Sequence, residues 1–260
     1  LDRSSAASDV YKRQAEGLRR GLWQAWLRSL LLFCCASVYV ELCLHLCVYR
    51  SLDRRTVYLV LFGLLGGTVC TLLTTHLPKI ARQIMGVLLV AVQVLFAEVQ
   101  LVYHAIFGNF MPISQVSMGG NVITNFDSQI LYSIGKNIVP ILLLLVPLIV
   151  MILCLALRRI KVLKVRLGWK QALATLGILL TLLLATMGIM YAGRGKSFSV
   201  YKTFTNVNTS TDSSYKSVGM LATTVQELRY MVFGSSGSVI ITPSPLGTDT
   251  RRLYSSNSYY

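Results

Sequence analysis

Charged residues are scarce in this chain, at 13 % against 54 % hydrophobic, and that balance excludes an ordinary soluble domain. It also lacks a CxxC pair. All six cysteines (Cys34, Cys35, Cys43, Cys47, Cys70 and Cys154) lie within apolar stretches, which excludes a secreted disulfide framework and a zinc-finger pattern and leaves them as packing residues. No Asp, Glu or His cluster follows the last apolar run, and no run of spanning length occurs after Ala192. What is abundant is positive charge. The net +15 invites a nucleic-acid reading, but much of the basic excess flanks apolar runs, where it orients membrane helices. The composition is that of an integral membrane protein, with no nucleic acid among its partners.

The chain is organised around Gln83 to Gly120. Ile84 to Phe107 is long enough to cross a bilayer, since about 20 apolar residues suffice. Gln93, Gln100 and His104 fall on one stripe of that helix, about 20° either side of Gln93, and so face protein or water. Glu98 lies well round from them and needs a partner, because a carboxylate in the hydrocarbon region costs roughly 2.5–3.5 kcal/mol or more.

Upstream, Arg19, Arg20 and Arg28 with Trp23 and Trp26 precede a first span, Ser29 to Val48. Within it Glu41 and His45 stand at i, i+4, close enough for the carboxylate to bond the imidazole. Cys43 and Cys47 are on another face, so a structural polar pair is favoured over a metal site. A second span, Val57 to Thr75, carries Gly63 and Gly67 in GxxxG spacing with Thr71 a turn beyond, a strip that lets another helix approach closely.

Downstream, Gly108 to Lys136 is the longest loop between spans, and its apolar patches predict short interfacial helices. Ile138 to Leu157 is the fourth span, with Pro140 in its opening turn and Pro147 placed to kink it. A basic turn (Arg158, Arg159, Lys161, Lys164, Arg166, Lys170) leads into the fifth, Ala172 to Tyr191. With the N-terminus inside, eleven basic residues lie on the inner side and six on the outer, which orients the chain with its C-terminus outside. Glu41 and Glu98 then lie in the outer half of the membrane, with His45 and His104 further out. Together with Gln93, Gln100 and Tyr103 they form a candidate polar cluster, lipid-facing or structural.

Residues 193–260 read as an external juxtamembrane segment and linker. Within Val218 to Gly234, Leu221, Val225 and Leu228 recur at i, i+4 and i+7 and predict a short amphipathic helix. Residues 1–14 stand apart: Ser4 to Gln14 reads as a sequencing-library adapter translated in frame, leaving 15–192 as a five-helix transmembrane domain.

This order of parts resembles the lipoteichoic acid synthase family, the LTA synthase-like sulfatase proteins of the alkaline phosphatase superfamily. YVELCLHL in the first span, YHAIFGNF from Tyr103 to Phe110, and GMLATTVQEL carry the resemblance, which covers most of residues 20–234. It implies a membrane anchor in the bacterial plasma membrane followed by an extracellular α/β domain. That domain would use a metal-bound threonine, with Mn or Mg, to move phosphoglycerol from phosphatidylglycerol onto a cell-envelope polymer. The sequence departs from the family there. Thr223 and Thr224 have no ligand-type neighbours, so the catalytic domain is expected to be missing from this stretch, and no cofactor is expected within it. Homo-oligomerisation is left open. The alternative is a small transporter or channel component with Gln93, Glu98, Gln100 and His104 lining a path. Against it stand the odd number of spans and the lack of an inverted repeat or a second broken helix.

Overall fold

The computed structural model describes residues 2–113, 127–156, 168–195, 199–205 and 211–233. All regular structure among them is helical. Five helices are long and apolar enough to cross a membrane: α1 (Asp2–Tyr49), whose apolar part is Arg19–Tyr49, α2 (Thr56–Thr75), α3 (Lys79–Phe107), α5 (Ile138–Ala156) and α6 (Trp169–Ala192). Between α3 and α5 lies the short α4 (Asp127–Lys136), and after α6 come α7 (Val200–Thr205), α8 (Thr211–Val218) and α9 (Met220–Phe233). The predicted spans agree with these within a few residues, except that α1 and α3 start earlier. The basic turn at 157–167, most of the loop at 114–126 and the linker from 234 onward lie outside the described residues.

The helix ends follow from local chemistry. Arg50 takes a left-handed φ of 52° and its N–H bonds Leu46 O, closing α1. The Asp53 N–H donates to Thr56 Oγ1 at 3.1 Å, setting the start of α2. Pro78, which has no N–H to lose, precedes α3, and Gly108 ends it at φ 69°. The Gly168 N–H is held by Gln171 Oε1 at 3.1 Å at the start of α6.

α1 and α2 make the closest pair. Gly67 lies directly against the α1 backbone at Phe33 and Cys34, and Gly63 against Val38, so the GxxxG strip allows backbone-to-backbone approach. The same helix buries Thr68, Thr71, Thr74 and Thr75 completely. Their hydroxyls return to carbonyls of the preceding turn at 2.6–3.0 Å, so no polar atom is stranded. α5 packs against α1 and α3, filling a core of Phe33, Val40, Val90, Val94, Ala97, Leu144 and Met151. α6 packs against α2 and is tied to α1 by the Trp26 indole, which donates to Thr175 Oγ1 at 2.8 Å.

Two residues behave differently from a surface reading. Pro147 sits inside α5 and cannot donate to Leu143 O; that carbonyl accepts the Tyr39 hydroxyl at 3.1 Å instead. Arg82, one of the eleven basic residues assigned to the inner side, lies in the first turn of α3 with no exposure, and its guanidinium donates to Ser29 Oγ at 2.8 Å. It is an interhelical tie between α1 and α3. A basic residue one turn into a helix points wherever the helix phase carries it, and here that is inward.

Leucines, valines and isoleucines at Leu73, Ile84, Leu88, Val92, Leu95, Leu142 and Leu184 remain exposed around the bundle. In water such a belt would be unfavourable; around membrane-spanning helices it is the surface lipid covers.

Candidate functional site

Of the polar residues of α1 and α3, Glu41, His45 and His104 lie toward the end of the bundle where α1 finishes and α2 begins. What meets them there is the α8–α9 hairpin. Gly219, at φ 89°, turns the chain between the two short helices, a conformation that an L side chain adopts only under strain. The hairpin inserts among α1, α2 and α3. Tyr215 of α8 stacks on Phe110 (centroids 4.0 Å apart, planes within 5°), Val218 packs beside Phe62, and Leu221 reaches Gly66 of α2.

At the tip of the hairpin, the Glu41 carboxylate accepts the Met220 N–H at 2.8 Å and the Leu221 N–H at 2.6 Å, one on each oxygen. These are the first amides of α9, donors that no intrahelical carbonyl can satisfy, at the positive end of the helix dipole. The expected Glu41–His45 pair is therefore not formed. Two convergent backbone donors outcompete one imidazole for a buried carboxylate. His45 is also buried; it packs on Tyr49 with centroids 4.9 Å apart, and its Nδ1 has no hydrogen-bond partner. With Tyr49, Phe110, Tyr215 and Gly219 the two residues line a cavity of about 10 Å³, room for one water molecule.

Above that cavity the joint is aromatic and polar together. The Tyr49 hydroxyl donates to Asp212 Oδ1 at 2.8 Å, His104 Nε2 lies 3.6 Å from the same oxygen, and Lys216 Nζ sits 5.4 Å over the Tyr49 ring. Arg55 donates to Ser217 Oγ at 3.4 Å from the start of α2. Glu227 of α9 accepts the Ile113 N–H at 2.6 Å. Burial pushes the Glu227 carboxyl upward, with that bond opposing the shift, and burial raises the Tyr215 phenol as well.

The remaining predicted residues have separate partners. Gln100 is fully buried and grips Met111 in both directions, its Nε2 donating to Met111 O and its Oε1 accepting the Met111 N–H, each at 2.9 Å. Gln93 accepts from Ser37 Oγ at 3.1 Å, bridging α3 to α1. Tyr103 packs on Phe107 at 4.5 Å. Glu98 Oε1 is buried without a hydrogen-bond partner, so the partner it was expected to need is not found among the described residues. Gln93, Gln100 and His104 each hold a different segment; they do not share a ligand.

Asp212, Tyr215, Gly219 and Glu227 went unnoticed in the sequence. The one available signal was Gly219, a glycine between two short helix-forming stretches, where helix C-terminal caps recur. Among the described residues no three His, Cys, Asp or Glu side chains are grouped to hold a metal. Replacing Gly219 by Ala combines a left-handed backbone with a Cβ 2.5 Å from Glu41 Oε2, and should destabilise hairpin docking by about 2 kcal/mol or more. Amide hydrogen exchange across residues 211–221 reads the loss directly.

Comparison with protein-family models, with curated proteins and with solved structures gives no match.

Proposed function

We propose that this chain is the membrane mount of a cell-envelope phosphoglycerol transferase of the lipoteichoic acid synthase type, set in the bacterial plasma membrane with its N-terminus inside and the segment after α6 outside. One observation supports it above the others: Glu41 caps α9 in the middle of the bundle, so the segment that leaves the spans is clamped to them. A loose tether would need no buried carboxylate, no stacked Tyr215–Phe110 pair and no left-handed glycine. A mount that must hold a catalytic unit at fixed height over the bilayer does.

In this reading phosphatidylglycerol is the donor lipid, a cell-envelope polymer the acceptor, and the Mn or Mg and the threonine nucleophile belong to the mounted domain. The residues described here position; none carries a chemical step. The transporter alternative needs Gln93, Glu98, Gln100 and His104 to line one path, whereas Gln93, Gln100 and His104 each hold a different segment.

Two measurements test the proposal. Lys79→Cys and Arg229→Cys, both exposed, should label oppositely with a membrane-impermeant maleimide in intact cells, Arg229→Cys alone reacting. Labelling of Lys79→Cys instead would reverse the orientation and remove the mount from the side where the polymer is made. The second is the genomic reading frame around this chain. A coding region for an extracellular domain with a threonine among Asp, Glu and His ligands supports the transferase, and a frame without one sinks it; solute flux through reconstituted vesicles would then favour the transporter.

A further inference from the structure

α9 is an amphipathic helix turned inside out. Val225, Leu228 and Val232 fall within about 60° of one another on its circumference. They are 61 %, 46 % and 72 % exposed, and Phe233, beside them, is 82 % exposed. Of the polar residues, Arg229 shares this exposed side, while Thr223 and Gln226 face protein. Thr223 and Gln226 are buried, the first bonded to Gly219 O at 2.8 Å and the second reaching Thr203 O and the Tyr230 hydroxyl. A helix bounded by water arranges these faces the other way round, because each exposed aliphatic side chain forgoes roughly 1.5–3 kcal/mol of burial.

The stripe does not begin in solvent. Its first member, Leu221, is lodged against Gly66 of α2 beside Gln93 of α3, inside the apolar part of the bundle. Tyr49, at the end of the span, stands eight helical rises beyond Glu41, which caps α9, so α9 starts about 12 Å below that end. Seven residues into α9, Glu227 meets Ile113, six residues beyond the end of α3. The exposed stripe thus continues outward from the belt of leucines and valines around the spans and emerges where the bundle ends.

The geometry points to the lipid bilayer as the occupant of this face: α9 rests its Val225–Leu228–Val232–Phe233 side in the leaflet at the α1–α2 end of the bundle, with Arg229 on the same side placed to meet lipid phosphate. The chain after α6 is therefore held twice, once by the bundle through the hairpin tip and once by the membrane through α9. That second grip is independent of the transferase reading and needs only the membrane-spanning bundle.

Photo-crosslinking of the full chain in vesicles of phosphatidylglycerol and phosphatidylethanolamine tests it. Benzoylphenylalanine is introduced in place of Val225 or Val232, and in place of Thr223 as the inward-facing comparison. Lipid adducts identified by mass spectrometry at Val225 and Val232, and lost at Thr223, are the expected result. Adducts joining two copies of the chain would overturn it in favour of self-association through α9. Absence of any adduct at both exposed positions would overturn it in favour of water. Retained exchange protection of the Leu221 amide shows in each case that the hairpin is still docked.

Discussion

Replacing Glu41 by Ala should release the α8–α9 hairpin while leaving the five long helices assembled. The substitution leaves the Met220 and Leu221 amides buried with no acceptor, at a cost of roughly 1–3 kcal/mol for each unsatisfied group. The amides need not stay buried, however. The hairpin can withdraw and find water, so the observable loss is limited to the docking free energy. A loss of about 3 kcal/mol corresponds to roughly a hundredfold more undocked chain. Hydrogen exchange at Met220 and Leu221 should accelerate by that order, and trypsin should gain access at Lys216. Glu41→Gln keeps one accepting oxygen and should fall about halfway. Glu41→Asp keeps both accepting oxygens but is one methylene shorter, so a loss close to that of Ala would show that reach is decisive. Unchanged protection in Glu41→Ala would mean that the Tyr215–Phe110 stack and the Asp212 contacts hold the hairpin without the cap.

The five spans were legible because the signal is local and long: each is a run of about 20 apolar residues, and basic or proline-containing turns separate them. The close approach of α2 to α1 was legible for the same reason, since Gly63 and Gly67 present a smooth face whatever helix comes to it. Glu41 was legible as a residue needing a partner, but not as to which. His45 is four residues away and was the nearest candidate, whereas the actual donors lie 179 and 180 residues further along the chain. Nothing in a single sequence encodes that pairing. The Leu221–Val225–Leu228 recurrence shows the complementary limit. Periodicity says which residues share a face; it does not say whether protein, water or lipid covers that face. The sequence reading placed an amphipathic helix on an external tail, and its first leucine is in fact inside the bundle while its valines point away from it.

The second large effect concerns the α1–α2 pair. A Cβ added at Gly67 would meet the backbone of Phe33 and Cys34, and backbone inside a helix cannot yield as a flexible side chain can. The helices must separate, and every contact in the row is then lengthened together: Gly63 against Val38, Cys34 against Thr68, and the Phe33 packing between α1 and its neighbours. Gly67→Ala should therefore cost about 1–3 kcal/mol, and Gly67→Leu more than that. The helix-propensity gain of alanine, up to about 1 kcal/mol, works in the opposite direction and is outweighed. Gly177 supplies the comparison, because a Cβ there meets nothing within 4 Å. Gly177→Ala should leave thermal stability in detergent unchanged or slightly raised, while Gly67→Ala lowers it. Equal behaviour of the two variants would show that α1 and α2 do not pack this closely in the membrane. It would also remove the platform on which Glu41, held by α1, and Gly66, held by α2, meet the same hairpin. The two large effects are thus linked in one direction: loss of the glycine contact should loosen the hairpin, whereas loss of the Glu41 cap should leave the glycine contact intact. Measuring Met220 and Leu221 exchange in Gly67→Ala separates that order from two independent joints.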